Sequence, residues 1–161
     1  MGMMNNIVAV LGIGIGATLV MDVWTLILKA MGFPTLNYAM VGRWVGHWRE
    51  GRFAHAHIAK AAPVKGEVAL GWIIHYVTGI VFAAVLVGVY GEAWLHNPTW
   101  LPAIIVGVAT VVMPWFVMQP AFGAGIAASR TPAPWASRLQ SVATHAVLGV
   151  GMYVSAVAFQ A

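Results

Sequence analysis

The chain has 161 residues, of which 61% are hydrophobic and only 7% charged, with a formal net charge of +4 and no cysteine. A soluble domain carries roughly one quarter charged residues, so this composition excludes a water-covered globule and points to a membrane protein. The missing cysteine excludes disulfides, thiolate metal sites, cysteine-held iron–sulfur clusters and covalent c-type haem.

A helix needs roughly 20 apolar residues to cross a bilayer core. Four stretches qualify: Ile7 to Leu28, Val68 to Tyr90, Leu101 to Phe122 and Leu139 to Phe159. The sequence therefore predicts an all-α, polytopic protein: one four-helix transmembrane domain over residues 1–161, a bundle without a separate soluble domain. The first stretch is read as a span rather than a signal peptide. No basic residue precedes Ile7, and Asp22, Trp24 and Lys29 stand where a small-residue cleavage site would be required.

All eight basic residues fall between spans one and two (Lys29, Arg43, Arg49, Arg52, Lys60, Lys65) or between spans three and four (Arg130, Arg138). Cytoplasmic loops carry the excess of Lys and Arg, so both loops are expected in the cytoplasm and both termini outside. The positive charge then reflects orientation and contact with anionic lipids, and no nucleic-acid partner is expected. Trp24, Trp72, Tyr90, Trp94 and Trp100 near the span ends read as an aromatic belt, and Trp115 as a deeper packing residue.

In the first loop, 34–49 reads as a short amphipathic helix. Its favoured place is the membrane interface, with Arg43, His47 and Arg49 available to headgroups; the rival is a cap over the helix ends. His55 and His57 are two apart, which brings side chains to one side only in a strand. In the second basic loop, Pro132 and Pro134 should end one helix and delay the next, while Arg130 meets headgroups or a ligand carboxylate or phosphate. Pro114 removes an amide hydrogen from span three and should kink it or free a carbonyl.

Two internal matches suggest a duplicated hairpin: Ala17-Thr-Leu-Val-Met-Asp22 with Ala109-Thr-Val-Val-Met-Pro114, and His75-Tyr-Val-Thr-Gly79 with His145-Ala-Val-Leu-Gly149. Asp22, His75 and His145 lie six or seven residues from the cytoplasmic ends of their predicted spans, about 9–11 Å deep at 1.5 Å per residue. Tyr76 and Gln119 approach the same layer. An isolated carboxylate is costly there, so Asp22 requires a partner. The layer is either a structural network or a site for a ligand or proton. His75 and His145 are a candidate axial pair for b-type haem, and His75, His145 and Asp22 a candidate two-histidine, one-carboxylate set for a divalent metal. Met21, Met113 and Met118 as copper ligands are a weaker alternative. A proton-coupled small-solute carrier would need an oligomer to complete its path. No GxSxG or Walker A is present, the Gly12-Ile-Gly-Ile-Gly16 run sits in an apolar helix, and nothing local activates Ser129.

GATLVMDVW at 16–24, VGRWVGHW at 41–48, GRFAHAHI at 51–58, GWIIHYVTG at 71–79 and MQPAFGAGIAASRTPAP at 118–134 resemble a bacterial family of small inner-membrane proteins catalogued only as a domain of unknown function. The resemblance covers nearly the whole chain and implies a four-span bacterial membrane protein, without a reaction, cofactor or partner. The combined expectation is an accessory or small-ligand-binding membrane component, in contact with lipids and working in a homo-oligomer or larger complex.

Overall fold

The computed structural model describes residues 3–160, with side chains from residue 5. Among these residues seven α-helices follow one another: α1 (Met3–Ala30), α2 (Tyr38–Gly46), α3 (Glu67–Tyr90), α4 (Glu92–His96), α5 (Trp100–Ala109), α6 (Gln119–Phe122) and α7 (Pro134–Ala158). No strand occurs among the described residues. Four helical stretches are long and apolar enough to cross a membrane: Asn5–Ala30, Glu67–Tyr90, Trp100–Phe122 and Pro134–Ala158. Their exposed side chains agree with that assignment. Ile7, Leu11, Ile15, Leu19 and Val23 form an exposed row at i, i+4 spacing on α1, and Val77, Val81, Val85 and Val89 do the same on α3. Such rows would be costly in water and cost nothing in lipid.

The fourth span begins at Pro134, earlier than Leu139. Proline is suited to the first helical turn, where its missing amide hydrogen has no partner to lose. Pro134 therefore starts the helix it was expected to delay.

Span three is not one regular helix. The α-helical pattern of α5 stops at Thr110 and Val111, a π turn covers Pro114–Met118, and α6 follows. Pro114 cannot bond the carbonyl four residues back, and the amide of Gln119 instead reaches the Pro114 carbonyl.

Contacts divide the chain into two compact units. The first comprises residues 1–35, 76–110 and 143–161; the second comprises 36–75 and 111–142. Ile13, Ala17, Ala83, Leu86, Ala103, Val106, Leu148, Met152 and Ala156 build the first unit's core. Small residues let its backbones approach, as lipid offers little hydrophobic drive for helix association. A Cβ at Gly79 would strike the Thr18 hydroxyl, and one at Gly149 would lie 2.7 Å from the Ala103 carbonyl. The two glycines matched in the repeat thus each pack against the preceding span. Trp94 also belongs to this core: it is 5% exposed, and its indole donates to the Thr99 carbonyl at 3.1 Å. It packs inside and is not part of an exposed aromatic belt.

The second unit is held by the first basic loop. Asn37 caps α2 by accepting from the Ala39 amide at 3.0 Å. α2 docks on the start of α3 through facing glycines: a Cβ on Gly42 would meet the Glu67 carbonyl, and one on Gly71 the Tyr38 carbonyl. The loop segment is therefore a docked helix with Val41, Gly42 and the following His47 buried.

Candidate functional site

In the first unit, polar side chains on different spans meet in pairs. Tyr76 on α3 donates its phenol to Asp22 Oδ2 on α1 at 2.9 Å. Trp24 on α1 donates to the Thr144 hydroxyl on α7 at 3.2 Å. Thr110, at the break in span three, lies 2.7 Å from His145 Nδ1 on α7 and also donates to the Gly107 carbonyl at 2.6 Å. A hydroxyl has one proton. With that proton on Gly107, His145 Nδ1 must donate to Thr110, which fixes the tautomer and leaves the neutral ring's Nε2 as an acceptor. The broken helix thus orients an imidazole.

The repeat does not extend to this chemistry. Thr18, the counterpart of Thr110, donates to the Gly14 carbonyl at 2.7 Å within its own helix. His75, the counterpart of His145, belongs to the second unit and stacks on Tyr38 of α2 with ring centroids 4.0 Å apart. Trp72 approaches His75 edge-on at 5.7 Å.

The second unit's polar centre lies around the first loop. Arg43 grips Glu67 with two parallel bonds, Nε to Oε2 at 2.9 Å and Nη2 to Oε1 at 2.7 Å. Its Nη1 donates to the Ala61 carbonyl at 3.1 Å, and the Val64 amide donates to Glu67 at 2.8 Å. The Glu67 hydrogen bond pushes the Arg43 guanidinium above its ordinary range. His47, only 2% exposed, places Nδ1 2.8 Å from His55 Nε2. Burial, followed by the positive influence of His47 and Arg52, pushes His55 below the ordinary histidine value. Arg43 and His47 therefore turn inward, and of the three groups expected to face headgroups only Arg49 is exposed. Glu67 was the available signal, being one of only four acids in the chain.

The remaining predicted residues separate. Gln119 reaches Ser141 on α7 at 3.5 Å. Arg130 is exposed, on a loop where Ala127 and Ala128 adopt left-handed backbone angles. His57 is exposed and does not join His55. Among the described residues, no group of three or more His, Asp or Glu side chains is placed to hold a metal ion. The Asp22, His75 and His145 ligand set gains no support from the geometry. Thr110 was the residue the sequence left unnoticed; its position four before a mid-span proline was the available clue.

These features define an all-α chain with four helices fit to cross a membrane, one of them interrupted beside an oriented histidine. The chain belongs to the family described as Protein of unknown function (DUF2938), which matches residues 11–159. No curated protein and no solved structure matches it.

Proposed function

We propose that this is a multi-pass protein of the bacterial inner membrane that binds a small polar ligand at Thr110 and His145, with Asp22 and Tyr76 as a second polar pair of the same unit. The observation carrying this reading is the interruption of span three at Thr110, whose hydroxyl orients His145. Irregular backbone at membrane depth is tolerated where protein buries it or where it lines a polar cavity, and broken spans recur at membrane binding sites. Asp22 contributes a carboxylate acceptor and His145 an imidazole able to accept at Nε2. Either group suits a ligand carrying hydroxyl, amine or amide groups. The positions of the basic residues support cytoplasmic loops and periplasmic termini, and lipids are the expected surroundings of the exposed apolar rows.

A second reading keeps His145 as a metal or haem ligand, because an imidazole bonded through Nδ1 presents the other nitrogen as ligating proteins do. One experiment separates the two. Protein purified gently from native membranes is examined by native mass spectrometry, ultraviolet–visible spectroscopy and elemental analysis, with Thr110→Val and His145→Ala alongside. A co-purifying small molecule lost from both variants supports the ligand reading. A Soret band or stoichiometric metal lost with His145 supports the cofactor reading. Folded protein carrying neither, with both variants unchanged in mass, overturns both.

A further inference from the structure

Among the described residues, three buried side-chain polar atoms lack a hydrogen-bond partner within the protein, and all belong to the second unit: Trp115 Nε1, Gln119 Oε1 and His55 Nδ1. A buried unsatisfied polar group costs roughly 1–3 kcal/mol, so native proteins rarely leave several together. Two of them share one stretch of chain, and the third sits on a loop bonded to it. Trp115 lies in the π turn, Gln119 follows four residues later at the start of α6, and the His55 amide donates to the Ala121 carbonyl at 2.8 Å. The loop carrying His55 is pressed onto this segment, because a Cβ at Gly123 would meet the Ala56 carbonyl.

The orientation of Gln119 follows from its neighbour. Ser141 donates its hydroxyl proton to the Ser137 carbonyl at 2.9 Å, so it can only accept from Gln119. The Gln119 amide nitrogen must therefore face Ser141, which leaves Oε1 as the orphan. Trp115 can only donate. His55 offers either role: it accepts at Nδ1 when its Nε2–H points to His47, and donates there when His47 Nδ1 carries the shared proton. A π turn widens the helix at this point, and such turns are frequent at functional sites.

From this set we infer that the second unit binds a small neutral polar molecule between the π turn and the His55 loop. It offers an acceptor to Trp115, a donor to Gln119 and either to His55. Water and a small hydroxyl- or amide-bearing solute share this chemistry. This site is separate from the one proposed at Thr110 and His145 and does not depend on it.

The test uses the full-length protein in nanodiscs. Trp115→Phe removes the indole N–H together with one ring, and Gln119→Met removes both amide atoms, Oε1 and the Nε2 that faces Ser141, at similar volume. With an occupant, each lowers Tm by roughly 2–4 °C, and the double variant loses less than the sum because the occupant is released once. The Trp115 indole resonance, assigned by its disappearance in Trp115→Phe, is read in the wild type. A magnetization-transfer peak to water identifies water; a co-purifying mass released by Trp115→Phe identifies an organic solute. Both outcomes support the inference. It is overturned if the wild-type indole shows neither partner, whatever the melting temperatures of the variants, since lost packing and the lost Ser141 bond lower those without any occupant.

Discussion

Asp22 illustrates how a carboxylate survives in an apolar helix: the Tyr76 phenol on another span bonds it at 2.9 Å. Asp22→Asn keeps an acceptor for that phenol and should cost less than about 1 kcal/mol, whereas Asp22→Leu leaves the phenol without it and should cost about 1–3 kcal/mol. Thermal melts in detergent, compared with those of Tyr76→Phe, check this, and equal losses for Asn and Leu would refute it. The His47–His55 contact gives a prediction in pH. The folded protein disfavours protonated His55, mainly through burial. The unfolded chain therefore binds more protons, and stability rises with pH. The contribution is complete above the unfolded histidine value near 6.5 and is lost progressively as pH falls below it. Melting temperature followed from pH 8 to 5 should decline at the acid end, and His55→Gln should flatten the decline. Sequence spacing weighed His55 only beside His57, a pair that would share a side only in a strand; the actual partner, eight residues upstream, is reached because a helical turn over His47–Glu50 and a left-handed Gly51 fold the chain back.

At the scale of the elements, spans were the most legible feature because lipid demands length and apolarity, which are local properties. α2 was legible as a helix, but its surroundings were not. Its docking depends on Gly42 and Gly71 meeting across the unit, and on Arg43 finding Glu67, 24 residues away. Gly42→Ala would push α2 off the Glu67 carbonyl and should destabilise by about 1–3 kcal/mol through overpacking. Hydrogen exchange should show faster opening of α2 and the loop that follows, while an alanine at Gly32, which has open space but a left-handed φ of 84°, should leave α2 unaffected. The interruption of span three was half legible. Pro114 announced a defect, but the use of that defect, a threonine hydroxyl turned to His145, requires a neighbouring helix to supply the imidazole.

For the whole molecule, the absence of cysteine makes topology directly measurable. Asn97→Cys and Lys65→Cys place single thiols at exposed positions in the connections after spans two and one. In intact cells with a permeable outer membrane, an impermeant maleimide should label the cysteine at 97 and spare that at 65 until the inner membrane is lysed; the reverse pattern would invert the proposed orientation. Composition, span length and charge placement determined the class, the four spans and the expected orientation, because the bilayer imposes its requirements on each segment alone. Tertiary structure decided which polar groups meet: Asp22 with Tyr76, His145 with Thr110, His47 with His55 and Arg43 with Glu67. A buried polar atom needs a partner at about 3 Å in a particular direction. Only the packing of distant segments supplies both, so residues that looked alike in the sequence, such as His75 and His145, came to rest in different company.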